Sequence, residues 1–179
     1  MLEFNSLTDL KRYLDFNDFS KELTTFAKDN KSEFLNAYLI RSVENNFLKF
    51  FSKGLLNGTI HTCVGQELSA TSTAGQIKKE DWVTSSHRCH GHFIAKTKAW
   101  KRLVDELLGK ENGISKGIGS SQHLYSDNFI SNGPQGQLLP VGTGIAYSIK
   151  NQDNLTMSFI GEGTLGEGVV YEALNLSAL

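Results

Sequence analysis

Cysteine is scarce in this chain, with two residues in 179, and proline is as rare. Cys63 and Cys89 make no disulfide framework, and their spacing matches no metal knuckle. A reduced, cytoplasmic protein is therefore the expectation. Charge of one sign is also missing. The formal net charge is −1, so no global electrostatic pull toward nucleic acid or a membrane surface is expected. No apolar run is long enough to span a bilayer. The N-terminus, MLEFNSLTDLKRYLDF, carries acids early and lacks the apolar core of a signal peptide. There is no internal repeat and no low-complexity tract. What remains is ordinary globular composition, 39% hydrophobic and 21% charged, in a length that can bury a real core.

Residues 1–33 read as a polar helical extension with scattered aromatics and no evident chemistry. A strong helix is expected over Phe34 to Lys53, with Leu35, Leu39, Val43, Phe47, Leu48 and Phe51 near helical spacing and Gly54 as its left-handed stop. Leu55–Gly65 reads as a loop, and a second helix starts near Gln66 or Glu67. Lys78–Asp81 is a turn, and Trp82–Ser85 a short strand. Trp100, Leu103, Val104, Leu107 and Leu108 mark another helix that stops at Gly109. Composition then shifts: eleven of the seventeen glycines lie between Gly113 and Gly168. Glu111 to Leu139 shows no lasting periodicity and reads as an ordered binding loop. Val141–Ile149 reads as a helix despite Gly142 and Gly144, whose small size suits a close backbone approach. Leu155–Ile160 reads as a buried strand, and a helical pattern follows to Leu179 without a capping signal. The order of elements predicts an α/β fold, a parallel sheet flanked by helices. The uncapped end leads us to expect a part of a larger protein, truncated within a helix.

Three segments carry candidate chemistry. Gly161-Glu162-Gly163 places a carboxylate between glycines at a strand end, beside a helix start, which suits a metal-bridged phosphate. The same residues, as Gly161-x-Gly163-x-x-Gly166, fit a dinucleotide fingerprint, although a carboxylate there repels a bare pyrophosphate. A simple helix cap is the third reading of Glu162. His87-Arg88-Cys89-His90-Gly91-His92 offers a bidentate guanidinium and imidazoles to an oxyanion. A metal cluster and a solvated turn are its alternatives. Gly119-Ser120-Ser121-Gln122-His123, with Ser131-Asn132-Gly133-Pro134-Gln135-Gly136 beyond it, sets one histidine in a glycine-rich loop, as an acid/base or as a solvated side chain.

Together these motifs, in this order, resemble the alpha subunit of the thiamine-diphosphate-dependent dehydrogenase component of 2-oxo acid dehydrogenase complexes, acetoin dehydrogenases included. Gly58-Thr59-Ile60-His61 with Gly65-Gln66-Glu67 and Glu172-Ala173-Leu174-Asn175 complete the match. The resemblance covers roughly Phe34 to Leu179, the N-terminal part of a thiamine-diphosphate-binding domain assigned to residues 34–179. It implies that His87 and Arg88 contact the cofactor diphosphate, with His87 where many members carry tyrosine. It implies that the backbone at Gly133 and Gln135 meets the aminopyrimidine ring, and that Gly163 and Thr164 complete the cofactor site. His123 resembles the active-site loop histidine. Glu162 would hold Mg²⁺ where the family usually has aspartate, and the extra methylene bears on the geometry of the cation.

The implied activity is oxidative decarboxylation of a 2-oxo acid, or cleavage of acetoin, with the acyl group passed to a lipoyl-bearing acyltransferase. A beta subunit would complete a heterotetramer; neither nucleic acid nor membrane is an expected partner. A second metal ligand and a second histidine lie further on in the family than this chain reaches, so the fragment alone is expected to be inactive. Two other readings stay open: a non-catalytic remnant or binding module of the same fold, and a dinucleotide-binding oxidoreductase.

Overall fold

A computed structural model describes residue 25 and residues 28–56, 58–74 and 77–179. The helical extension expected over residues 1–33 lies outside these, apart from its last residues. Helix α1 (Lys31–Ser52) ends as the sequence predicts: Gly54 takes φ +67°, and the N–H groups of Gly54 and Leu55 close onto the carbonyls of Phe51 and Phe50. Its buried stripe differs from the apolar pattern. Ala37, Ile40, Val43, Glu44 and Phe47 face inward, whereas Leu35, Leu48 and Phe51 stay exposed. The helix is rotated so that a carboxylate, Glu44, enters the core, where it meets a buried histidine.

Next come α2 (Glu67–Ala74), β1 (Trp82–Ser85), α3 (His90–Thr97), α4 (Trp100–Leu107), β2 (Tyr125–Ser126), β3 (Phe129–Ser131), α5 (Leu138–Ser148) and β4 (Thr156–Ser158). A short 3-10 helix (Glu162–Gly166) leads into α6 (Gly168–Ser177). The strands form one sheet in the order β2-β3-β1-β4. β1 runs parallel to β3, with Val83 opposite Phe129, and parallel to β4, with Val83 opposite Met157. β2 is antiparallel to β3, so the sheet is mixed rather than wholly parallel. The segment expected to be an irregular loop thus contains a hairpin. Asp127 and Asn128, both at positive φ, make its two-residue turn, the geometry that matches strand twist. β4 is also less buried than expected: its three residues are half-covered, and the flanking Leu155 and Ile160 are exposed. Among the described residues it pairs on one side, with β1.

Helices cover both faces of the sheet. On one, Val83 and Phe129 pack with Phe93 and Ile94 of α3 and with Ile40 and Phe47 of α1, and the rings of Phe93 and Phe129 meet edge to face at 5.2 Å. On the other, α5 lies so close that a Cβ at Gly142 would stand 2.3 Å from Ser158 Oγ. That hydroxyl accepts a hydrogen bond from Thr84 Oγ1 at 2.9 Å. Gly144, two residues on, faces open space. Among the described residues no helix is long and apolar enough to cross a membrane.

The two glycines give a matched test of this packing. Gly142→Ala should destabilise the protein by about 1–3 kcal/mol through overpacking against Ser158. Gly144→Ala should stabilise it by about 0.5–1 kcal/mol, since it only restricts the unfolded chain and favours helix. Urea midpoints at unchanged slope read both; equal effects would contradict the close contact.

Candidate functional site

Because β3, β1 and β4 run parallel, their C-terminal ends leave the sheet at one edge. The ladder continues past the strands: Asn132 N–H donates to Ser85 O at 3.3 Å, and Phe159 N–H to Thr84 O at 2.9 Å. The three exit segments are thereby held side by side. A cleft of about 680 Å³ opens there, lined by Ser86, His87, Arg88 and His92 after β1, by Gln135 after β3, and by Phe159–Thr164 after β4. Gln66, Ser69 and Glu167 complete the wall. In parallel α/β sheets this edge is where ligands bind.

One side chain ties the exits together. Gln135 Nε2 donates to His87 Nδ1, and Gln135 Oε1 accepts from Thr164 Oγ1 at 3.2 Å. Since His87 Nδ1 accepts, its proton sits on Nε2, which is left as a donor. Burial lowers the His87 pKa, and the charges of His61 and Arg88 lower it further, so the ring is neutral near pH 7. Arg88 is held by a hydrogen bond from Nη1 to the carbonyl of Thr62. Among the described residues the rest of its fork has no partner, which leaves it to meet an anion.

Thr62 belongs to the 58–65 loop, which Glu67 anchors. Its carboxylate takes the Arg41 fork and the Gly65 N–H, the latter at 3.0 and 3.1 Å. Burial pushes that carboxyl up, but these donors outweigh it and hold its pKa below the usual range. The same loop brings the His61 ring edge-on to His87, 4.8 Å between centroids. His61 thus stands beside the cleft, although its residue pattern alone gave it no role.

The three histidines after β1 separate. His87 faces the cleft. His90 is fully buried: Nδ1 lies 2.7 Å from Glu44 Oε1, and Nε2 lies 2.9 Å from the Ser121 carbonyl. His92 stacks on Phe159 at 3.7 Å, and its Nδ1 pairs with Ser85 Oγ at 2.8 Å. Cys89 is buried, its thiol pushed up to about 12 by burial. They therefore form neither a metal cluster nor one solvated turn, because α3 begins at His90 and its successive residues point different ways. Among the described residues no group of three or more His, Cys, Asp or Glu is gathered for a metal.

Glu162 opens the 3-10 helix, exposed on the cleft, and the residue preceding α6 is Glu167. The carboxylate therefore starts a 3-10 turn, and not the α-helix that the sequence pattern placed directly after it. Gly161-x-Gly163-x-x-Gly166 follows the last described strand and forms that turn, whereas a dinucleotide fingerprint joins a first strand directly to an α-helix. Thr164 is buried, and Gly163 is exposed. Asn132 Oδ1, beside the cleft, is a buried acceptor with no partner among the described residues. A guanidinium, a neutral imidazole donor and a carboxylate on one cleft, with an orphaned acceptor beside it, fit a diphosphate carried with a divalent cation and a ring that donates hydrogen bonds. Mg²⁺ keeps several waters and takes substrate phosphates as ligands, so one or two protein carboxylates suffice.

His123 and Gly133 lie at a second level. His123 is exposed and does not line the cleft, but its Nε2 comes within 4.0 Å of where a Cβ at Gly133 would stand. Gln122 Oε1 would stand 2.2 Å from that Cβ, so a side chain at residue 133 would have to displace the Gln122 amide. The Gly133 carbonyl in turn accepts from Gln135 Nε2 at 3.4 Å, which links this pair to the cleft.

Comparison with known proteins adds an independent finding. A family described as "Dehydrogenase E1 component" matches residues 36–179. The pyruvate dehydrogenase E1 component subunit alpha of Rhizobium meliloti (strain 1021) is 32% identical over 164 residues, 87% of this chain and 47% of the relative. The protein of that name from Rickettsia felis is 34% identical over 163 residues, 85% of this chain and 49% of its own. The mitochondrial subunit alpha of Saccharomyces cerevisiae is 33% identical over 144 residues, 79% of this chain and 34% of its own. The chain spans about half the length of the curated relatives it matches, or less.

The half-buried His92 makes the fold sensitive to acid. Burial lowers its pKa from the usual 6.5 to about 4. The fold therefore favours the neutral ring: its contribution is fully present above pH 6.5 and is lost as pH falls toward 4. Over that range it amounts to about 3 kcal/mol. His92→Gln keeps an acceptor for Ser85 but cannot titrate. Its stability, read by urea unfolding at pH 7 and pH 4.5, should fall less than that of the wild type; parallel losses would contradict the assignment.

Proposed function

Because the chain belongs to the dehydrogenase E1 component family, we propose that it is the N-terminal part of an alpha subunit catalysing thiamine-diphosphate-dependent oxidative decarboxylation of a 2-oxo acid. Acetoin cleavage is the related alternative. The observation that carries this reading is the meeting of Arg88 and Glu162 on one cleft at the ends of three parallel strands. Opposite charges lining one open cleft suit a ligand that brings its own anion and cation. The family uses thiamine diphosphate and Mg²⁺. When bound, the cofactor supplies a carbanion-stabilising electron sink.

The chain's own residues then have distinct tasks. Arg88 offers its fork to diphosphate oxygens, and His87 adds one neutral donor through Nε2. Glu162 supplies a carboxylate to Mg²⁺. The backbone at Gly163 and Thr164 flanks that position, and Gln135 holds the Thr164 hydroxyl and the His87 ring in register. Gly133 and Gln135 face the aminopyrimidine, where Asn132 Oδ1 is an acceptor in want of a donor. His123, reached through Gly133, is the candidate acid/base for the substrate. The relatives' names make pyruvate the first 2-oxo acid to test. A beta subunit and a lipoyl-bearing acyltransferase are the proposed partners. The cytoplasm is the proposed compartment, since the buried free thiols Cys63 and Cys89 suit reducing surroundings, although the yeast relative is named mitochondrial.

Titration calorimetry on the complete protein with its partner subunit tests the site. Arg88→Ala should weaken thiamine diphosphate binding by about 1.5–3 kcal/mol, the scale of hydrogen bonds to a charged group. His87→Phe should cost less, because Arg88 remains. Glu162→Gln should weaken binding and remove most of its dependence on Mg²⁺, whereas Glu162→Asp should keep it. Unchanged affinity in Arg88→Ala would move the diphosphate elsewhere. No binding by the wild type would leave a non-catalytic module of the same fold.

A further inference from the structure

Outside the cleft, the least expected group is Glu106. It lies in the last turn of α4, where the helix dipole disfavours a carboxylate, and it is 1% exposed. Burying a charge there is costly unless it is fully bonded. It is fully bonded, by one loop. Oε2 accepts from the N–H of Ser115 at 2.7 Å and of Gly117 at 2.9 Å; Oε1 accepts from Gly119 at 2.7 Å and Ser120 at 3.2 Å. Lys116, Gly117 and Ser120 take positive φ, which turns alternate N–H groups inward as a backbone nest. The nest is shaped around this carboxylate, since a Cβ at Gly113 would stand 2.4 Å from Oε2.

Two of the four donors also hold His123. Ser115 Oγ donates to the His123 carbonyl at 3.0 Å, and His123 N–H donates to the Gly119 carbonyl at 3.0 Å. Every hydrogen bond the structure gives the His123 backbone therefore goes to a residue whose own N–H is fixed by Glu106. A Cβ at Gly119 would meet the His123 carbonyl at 2.1 Å, so the two segments lie against each other without slack.

We infer that Glu106 is the positioning residue for His123: its carboxylate gathers the 115–120 loop into the one conformation that sets the histidine over Gly133. The role given to His123 rests on the proposed function, but the geometric claim does not. Glu106 touches no substrate and acts only through the loop. Glu106→Gln presents one acceptor oxygen and one amino group to four donors, so two N–H groups must lose their partner. Ser115→Ala removes a single bond to His123 and leaves the nest in place.

Diethyl pyrocarbonate modification of the complete protein, read histidine by histidine through peptide mass spectrometry, separates positioning from general destabilisation. In Glu106→Gln the rate at His123 should rise several-fold, with the rates at His61 and His87 unchanged. Ser115→Ala should shift His123 in the same direction by less, and should add nothing in the Glu106→Gln background. A wild-type rate at His123 in a folded Glu106→Gln protein would overturn the inference. Should Glu106→Gln fail to fold, a wild-type rate in Ser115→Ala would overturn it instead. Thiamine diphosphate binding by the wild type is measured alongside. Its absence, with His123 still shifted, would remove the cofactor reading and leave the positioning claim intact.

Discussion

Parallel pairing of β1 with both β3 and β4 is the constraint from which the site follows. It delivers three chain segments, distant in sequence, to one edge of the sheet with the same polarity. Each brings a different part of the cleft: one carries Arg88 and His87, one Gln135, one Glu162. The sheet brings them together, and Gln135 locks them, donating to the first segment and accepting from the third. Slipping β4 by one residue would turn Thr156, Met157 and Ser158 to the opposite face. That would break the Thr84–Ser158 hydrogen bond under α5 and carry Glu162 away from Arg88. The cleft is thus a property of strand register before it is a property of any side chain.

A second theme is the use of buried carboxylates to hold irregular backbone. Glu67 fixes the 58–65 loop through Gly65, and Glu106 fixes the 115–120 loop through four N–H groups. Asp81 accepts from Lys78 N–H at 2.7 Å and Leu155 N–H at 2.9 Å, which joins the turn before β1 to the start of β4. Glu44 grips His90, whose other nitrogen reaches the Ser121 carbonyl. A loop cannot satisfy its own N–H groups as a helix or sheet does, so each needs an acceptor brought from elsewhere. One buried carboxylate serves several at once. The 58–65 loop stands beside the cleft and the 115–120 loop leads to His123, whereas Asp81 works at the opposite end of the strands.

The elements that follow local rules were legible in the sequence. α1 and α4 have apolar periodicity and a glycine stop, β1 opens on the strand-favouring Trp82-Val83-Thr84, and the helix start at Glu67 follows a loop with glycine at its end. What escaped depends on contacts between distant residues. β3 has three residues, one of them polar, and its hairpin signal, Asp127-Asn128, is short. α3 opens on His90-Gly91, a poor helix start, and is held by packing: a Cβ at Gly91 would touch Cys63 Sγ at 3.0 Å. Nothing in the sequence marks Glu44 or Glu106 as buried, because a charge in a helix usually faces water. In the site, Arg88, His87, Gln135, Glu162, Gly163 and Thr164 come together at the cleft, since motif residues cluster at strand ends. Gly133 and His123 stand behind them, and the place of His61 against His87 needed the fold to be seen.

In the proposed function, the cleft over the ends of β1, β3 and β4 holds a diphosphate bridged by a cation. A crystal structure of the complete protein with thiamine diphosphate and Mn²⁺, recorded at a wavelength where manganese scatters anomalously, tests it most directly. One anomalous peak is expected within coordination distance of a Glu162 carboxylate oxygen, with diphosphate density between it and the Arg88 guanidinium. An anomalous peak at another site, or diphosphate density away from Arg88 and Glu162, would contradict it.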